Sequence, residues 1–422
     1  MGNSLSVCKT RADDITIIFE DGTISTIPSR NIYYYSIEKD FFNDFLPILN
    51  IKCLVTRDIY TKVNKQVAKF KVSIKKFFIN SDNTTFNKQD KNIMYKRFID
   101  NVFINVNNTD SSIDPSKALV DDIEKISERN ELEKTTVELD LLLFTEESLN
   151  YRKLNDKIFQ DANMFNTILA LSQLTEQGKL LITYPDNREL YKDNDIIIPN
   201  NLTFIGCIKY LQSVYGIYNK GYILFRDYDR TYLIDKDLSC NAYAKGEYKR
   251  VYISFSQNND PKGNVYGQYD NIMKRIYNIN CINAPKIITN STASNELLFD
   301  NLYVTNTYTG ETNVTNVNMR NSSKTKTTKI VENKYNNDYI VNSSAYEITL
   351  NNYTITTTFN EADLDIFTPN KEYYLDNKMD IKEYRQLNGL MKLSRIMAIY
   401  EKTTSNDEDI FTGVINAEFK RA

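Results

Sequence analysis

The stretch VAKFKVSIKKFF, residues 67–78, sets Ala68, Phe70, Val72 and Ile74 in alternation with Lys69, Lys71, Ser73 and Lys75. Successive side chains of a β-strand point to opposite faces, so this period of two predicts a strand with one buried face and one charged, solvated face. Val102, Ile104 and Val106 repeat the alternation. Residues 15–19 and 23–27 flank Asp21-Gly22, a turn that needs a residue able to adopt positive φ. A half-buried antiparallel sheet has to cover its apolar face, and curling into a small barrel does so. Residues 1–112 are therefore read as an N-terminal barrel-like domain. One interruption is expected within it, because Ile37, Phe41, Phe45 and Leu49 recur at helical spacing near Pro47, which predicts a helix over residues 36–46.

Asp114-Pro115 changes the texture. Asp at a capping position and Pro at the first helical position predict a helix start, with Leu119, Ile123 and Ile126 on one face. A strand through Val137, Leu139, Leu141 and Leu143 follows. After it comes a helical region in which Leu154 and Ile158 precede Met164, Ile168, Leu171 and Leu174, closed by Gly178. A further helix is expected in NNLTFIGCIKYLQSVYG, residues 200–216, ending at Gly216. GYILFRDYDRTYLID, residues 221–235, reads as two strands around Asp227-Tyr228-Asp229-Arg230. Residues 113–250 thus form an α+β middle domain. Residues 251–422 return to strands as a C-terminal β-rich domain, interrupted by a polar, Thr- and Asn-rich insertion at about 306–345 that is expected to be a long loop or extended hairpin. The closing residues 390–422 predict two strands across an acidic turn. The fold class is mainly β with an α+β middle region.

Composition removes whole classes of chemistry. The 422 residues contain no histidine, which excludes Ser-His-Asp and Cys-His nucleophilic sites and histidine bases together. The net charge of -3 provides no general basic field for nucleic acid or an anionic membrane. Cys8, Cys53, Cys207, Cys240 and Cys281 are odd in number and contain no C-x-x-C pair, so reduced thiols are expected rather than disulfides or structural zinc. No apolar run approaches the roughly 18 residues that a membrane-spanning helix needs. The strongest carboxylate cluster, Asp227, Asp229, Asp235 and Asp237, lacks the Gly and Glu of an EF-hand loop and reads as a polar hairpin turn with its flanking ends. No phosphate-binding glycine loop is present. The Lys-rich runs 65–76 and 324–334 read as solvated faces, and Tyr33, Tyr34 and Tyr35 as core or interface residues. No catalytic, cofactor-binding or metal-ligating residue is singled out, and no enzymatic activity or cofactor is expected. The opening MGNSLS fits an N-myristoylation pattern at Gly2, with Cys8 as a possible second acylation site. This supports one alternative reading: a lipid-anchored structural protein of a eukaryotic virus such as a poxvirus.

The stretch IIIPNNLTFIGCIKYLQSVYGIYNKGYILFRDYDRTYLID, residues 196–235, resembles the tail baseplate hub proteins of tailed bacteriophages, the group that includes the T4-type hub. The resemblance rests on Pro199, Tyr215-Gly216-Ile217-Tyr218, Gly221, Phe225, Asp227, Asp229 and Tyr232-Leu233. FFNDFLPILNIKCLVTRDIY (41–60), TTVELDLLLFTEE (135–147) and the terminal GVINAEFKR (413–421) are similar to other parts of such hubs. What the resemblance implies is a pair of barrel-like antiparallel domains per chain that form a ring in a homotrimer. That ring joins the tail tube protein to the central spike and other baseplate proteins, and passes DNA without binding it specifically. The location implied is the virion tail baseplate, assembled in the host bacterial cytoplasm, with no membrane contact. A conduit should hold DNA weakly, so the lumen is expected to be neutral or acidic with Lys69, Lys71 and Lys75 turned elsewhere.

Overall fold

The fold was taken from a computed structural model, which describes residues 6–80, 96–105, 136–160, 163–175, 180–183, 185, 195–236, 250–255, 265–268, 276–281, 286–289, 299–306, 312–316, 325–331, 353–377, 389–402 and 409–421. The N-terminal strands are β1 (Ser6–Ala12), β2 (Ile15–Phe19), β3 (Ile24–Ile27), β4 (Ile32–Asp40), β5 (Ile48–Thr56), β6 (Ala68–Asn80), β7 (Lys96–Asn105) and β8 (Thr136–Thr145), with helix α1 (Arg57–Lys65) between β5 and β6. The middle of the chain supplies β9 (Leu154–Phe159), α2 (Met164–Thr175), β10 (Leu180–Ile182), β11 (Ile196–Thr203), α3 (Phe204–Val214), β12 (Tyr222–Arg226) and β13 (Thr231–Asp235). Then come β14 (Arg250–Phe255), β15 (Val265–Gln268), β16 (Ile276–Cys281), β17 (Lys286–Thr289), β18 (Phe299–Asn306), β19 (Thr312–Asn316), β20 (Thr325–Val331), β21 (Tyr353–Asn360), β22 (Glu372–Asn377), β23 (Gly389–Lys402) and β24 (Ile410–Arg421).

The expected alternation on β6 is what the structure shows, with Ala68, Phe70, Val72 and Ile74 buried while Lys69 and Lys71 are exposed. Gly22 adopts φ +79° in the β2–β3 turn, where the Asp21 carboxylate accepts hydrogen bonds from the Thr23 amide (2.9 Å) and hydroxyl (2.6 Å). Among the described residues, β4, β5, β8, β7, β6, β1, β24 and β23 pair in that order, every step antiparallel, and β23 returns to β4. The ladder closes on itself, so these strands form a barrel without a free edge. Its last two staves come from the far end of the chain.

The hairpin β23–β24 is long enough to belong to more than this barrel. Residues 395–401 of β23 pair with β4, while Met391 and its neighbours pair with β22. On the other edge, residues 410–412 of β24 pair with β1 and residues 414–420 with β21. From β22 the sheet continues through β14, β16 and β15 back to β1, with β14 parallel to both β22 and β16. Mainly antiparallel, the sheet thus carries a parallel insertion.

The middle segment packs beneath the barrel. In β12 and β13 nearly every side chain is buried, which explains their unbroken apolar runs: Ile223, Phe225, Tyr232 and Ile234 join the barrel core, while Leu224 and Leu233 join a second core around α2 and α3. Thr203 caps α3 through its hydroxyl, which accepts from the Gly206 amide, and Gly216 at φ +74° ends the helix as expected.

Two local expectations are corrected. Residues 36–46 are not helical, because Ser36 to Asp40 complete β4; its inward positions Tyr35, Ile37 and Lys39 follow a period of two, and the side chain of Asp40 then accepts from the Phe42 and Asn43 amides to turn the chain. Leu154 and Ile158 lie on a strand paired with β11, not on a helix. Of the long loop or extended hairpin expected at 306–345, the described residues show the hairpin, β19 pairing antiparallel with β18, and add β20 parallel to β18. The helix expected after Asp114-Pro115 lies outside the described residues.

Candidate functional site

Strands β4 and β6 are separated in the barrel by β5, β8 and β7, so they run the same way and finish at the same end. At that end each strand places a lysine where its pattern calls for an apolar side chain. Lys39 continues the inward series of Tyr35 and Ile37, and Lys76 continues that of Val72 and Ile74; both are buried. A buried ammonium group needs a counter-charge and hydrogen-bond acceptors, and each lysine obtains them from a different part of the chain.

Lys39 Nζ donates to both carboxylate oxygens of Asp227, at 2.8 and 2.7 Å. Asp227 opens the β12–β13 turn, where its amide donates to the Arg230 carbonyl (2.8 Å) and its carboxylate accepts from the Tyr228 amide (2.9 Å). The Tyr228 ring lies 5.4 Å from Lys39 Nζ and meets Phe103 edge-on at 5.9 Å. Phe225 meets Phe41 edge-on at 4.7 Å, and the Arg226 amide donates to the Phe45 carbonyl at 2.7 Å. The turn is therefore a plug, fastened to the end of β4 and to the chain that follows it.

Lys76 Nζ donates to Asp363 (2.6 Å) and to Asp365, the carboxylates of a 3-10 turn, Leu364–Ile366, that follows β21. Asp363 also accepts from the Asp365 amide at 3.1 Å. Burial, then the Asp365 charge, pushes the Asp363 carboxyl above its ordinary range despite Lys76. Burial opposes the charge on Lys76, yet the two carboxylates outweigh it and raise its pKa. Just before this turn, Glu361 sits at φ +51°, gives its amide to the Gly413 carbonyl (2.7 Å), accepts the Cys8 amide on its carbonyl (2.8 Å) and pairs its carboxylate with Lys9. Residues 361–365 thereby fill the point where the edge of β24 passes from β1 to β21. The ring of Tyr400 stacks on that of Tyr35 at 4.5 Å, and the Tyr35 hydroxyl meets that of Thr10.

Chemically this end of the barrel is a junction. Its ammonium groups and carboxylates answer one another, and among the described residues no group of three His, Cys, Asp or Glu side chains is placed to hold a metal ion. Of the carboxylate cluster read from the sequence, Asp227 is taken by Lys39 and Asp229 is exposed in the turn. Asp235 is buried at the end of β13, where its amide donates to the Thr183 hydroxyl (3.4 Å), and Asp237 lies outside the described residues. Gly2 also lies outside them. Cys8 is buried on β1 and its thiol is pushed up by burial, then by Asp363, so it is neither accessible nor activated for acylation in the folded chain. Lys69 pairs with Glu146 (2.5 Å) and Lys75 with Asp13 (2.6 Å) on the outer face. Lys76 departs from the solvated reading of its run. The signal was present in the sequence: β6 keeps its parity through Lys76, so a lysine stands at an inward position. The partners Asp227, Asp363 and Asp365 carry no comparable local mark.

A sequence model of the family described as the bacteriophage PBS1 gene 109 protein matches residues 9–415. No curated protein matches the sequence. The fold is similar to that of a tail protein from Neisseria meningitidis MC58, with TM-score 0.52 and 11% identity over 98% of this chain and 96% of that one. It is also similar to the 43 kDa tail protein of prophage MuSo2 from Shewanella oneidensis, with TM-score 0.51 and 8% identity over 96% of each chain.

Proposed function

Because this chain belongs to the family of the bacteriophage PBS1 gene 109 protein, we propose that it is a structural protein of the phage tail, specifically the hub of the baseplate. In this reading three copies form a ring that joins the tail tube to the central spike, and DNA leaves through its lumen. The observation that carries the proposal is the hairpin β23–β24, shared between the closed barrel and a further set of strands of the same sheet, β22, β14, β16, β15 and β21. One rigid element ties two sheet units in each chain, so three chains present six units, which suits a threefold spike below and a sixfold tube above. The role is assembly rather than catalysis, and the chain works in the virion tail after assembly in the bacterial cytoplasm. Lys69, Lys71 and Lys75 face away from the lumen, and the polar region 306–345 reaches a neighbouring tail component. The lipid-anchored reading of a eukaryotic virus has no support from the family or the fold, and Cys8, its second acylation site, is buried.

Sedimentation of the purified chain and cryo-electron microscopy of the virion tail test this. The expected result is a trimer in solution or on its tail partner, and three copies between tube and spike. A different ring number, or a location outside the tail, overturns it.

A further inference from the structure

The turn that follows β21 concentrates charge at one point of the junction. Glu361, Asp363 and Asp365 alternate along it and meet two lysines on neighbouring strands, Lys9 on β1 and Lys76 on β6. Glu361 is matched by Lys9, which also donates to the Thr412 hydroxyl on β24 at 3.0 Å. Lys76 is shared, since its Nζ touches both Asp363, at 2.6 Å, and Asp365. The two acids differ in setting: the Asp365 side chain is 62% exposed, that of Asp363 only 16%. Among the described residues, both hydrogen bonds to the Asp363 carboxylate, from Lys76 Nζ and from the Asp365 amide, fall on the same oxygen, Oδ1. A proton can therefore sit on Oδ2 without displacing either. The other charged or titratable groups at the turn are Cys8 on β1, Tyr400 on β23, Tyr232 on β13 and Lys371, whose ammonium donates to the Asp365 and Ile366 carbonyls. Burial pushes the thiol and both phenols up, so they stay neutral in acid.

Two carboxylates on one ammonium cannot both be ionised without cost when one of them is buried. We propose that residues 361–365 form a proton-set clasp between the barrel and β21, in which a proton taken from solvent onto Oδ2 of Asp363 tightens the turn against β1 and β24. A neutral Asp363 keeps both hydrogen bonds on Oδ1, and Lys76 keeps the carboxylate of Asp365. Burial, then the Asp365 charge, holds the Asp363 carboxyl above 3.8, so the folded chain takes up this proton before the unfolded chain does. The stability it contributes is complete below 3.8 and is lost as pH rises through the folded value. That sign is the reverse of an ordinary Asp–Lys pair, which acid weakens. The clasp lies where the edge of β24 passes from β1 to β21, so protonation acts on the link between the barrel and the strands beyond it.

Hydrogen exchange of the full chain reads the clasp, because the Cys8 amide donates to the Glu361 carbonyl and the Glu361 amide to the Gly413 carbonyl. Protection of these two amides is followed from pH 7.5 to 4, corrected for the intrinsic rate at each pH. The chain has no histidine, so carboxyls are the side chains that titrate across this range. Asp363→Asn keeps the shape and the Oδ1 acceptor and stands in for the protonated acid. In the parent, protection should rise about threefold or more as pH falls; in Asp363→Asn it should stand at the upper level already at pH 7.5 and stay there. Asp365→Asn removes the like charge but not the burial, so the rise should remain and move to lower pH. Parent protection that is flat or falls with acid, an Asp363→Asn chain that keeps the rise or is less protected than the parent at pH 7.5, or a transition that Asp365→Asn leaves in place overturns the proposal. None of these outcomes depends on ring number or virion location, so the two readings fail separately.

Discussion

The ion pair between Lys39 and Asp227 predicts a strongly non-additive mutant cycle. The two side chains are only 7% and 11% exposed, and both carboxylate oxygens lie within 2.8 Å of Nζ. Lys39→Met keeps most of the volume but leaves a buried carboxylate whose remaining donor is the Tyr228 amide. Removing one partner of such a pair costs about 3–5 kcal/mol, because the other charge stays desolvated. Asp227→Leu strands the ammonium over the Tyr228 ring and should cost about as much. The double variant Lys39→Met with Asp227→Leu buries no isolated charge, so it should lie within about 2 kcal/mol of the parent, a coupling of several kcal/mol. Urea unfolding followed by tyrosine fluorescence reads this cleanly, since the chain has 30 tyrosines and no tryptophan. Hydrogen exchange adds a local probe, because the amides of Arg226 and Asp227, which donate to Phe45 and Arg230, should lose protection in each single variant and regain it in the double. Single variants costing under about 1 kcal/mol, or effects that simply add, would refute the account of the turn as a charge-fastened plug.

Two further predictions concern the other side of the junction. A Cβ built on Gly413 would lie 2.5 Å from Tyr400 Cε1 and 2.8 Å from Cδ1, and that ring is stacked on Tyr35. Gly413→Ala should therefore cost about 1–3 kcal/mol by overpacking, read as a lowered urea midpoint; an unchanged midpoint would show that the ring moves freely. Lys76 has its pKa raised above 10.5 by Asp363 and Asp365 against the opposing effect of burial, so its contribution to stability is complete below pH 10.5 and is lost as pH rises through the folded value. The stability gap between the parent and Lys76→Met should hold steady from pH 7 to 10 and shrink above 10.5, and a gap that widens with alkali would contradict the sign.

What could be read from the sequence follows the range of the interaction involved. The alternation of β6, the Asp21-Gly22 turn, helix α3 with its end at Gly216 and the closing hairpin are all set by side chains within a few residues of each other, and each was legible. The closure of the barrel was not. Strand β23 pairs with β4 across more than 350 positions, as Arg395 opposite Asp40 illustrates, and a period of two announces a strand without naming its partner. The false helix at 36–46 arose because Ile37 and Leu49 face inward from two adjacent strands while Phe41 and Phe45 occupy the turn between them, which mimics a four-residue spacing. Leu154 and Ile158 mislead for the opposite reason: both are exposed on the β9–β11 ribbon, so their apolar character does not report a buried helical stripe.

The buried lysines show why an inward charge is kept where an apolar residue would pack at least as well. Apolar plugs at a barrel end bury area but have no preferred register, since Leu or Phe side chains gain nearly the same energy in several positions. An ammonium at a fixed strand position tolerates one arrangement, the one that brings its carboxylate into reach. Lys39 fixes the middle segment through Asp227, and Lys76 fixes the turn after β21 through Asp363 and Asp365. Strand β4, which carries Lys39, pairs with β23, and β21, which precedes the Asp363–Asp365 turn, pairs with β24, so both fastenings stand next to the hairpin that runs from the barrel into the rest of the sheet. A chain that has to hold the barrel and the strands beyond it in one mutual orientation gains from specificity at that element more than from another few kcal/mol of burial.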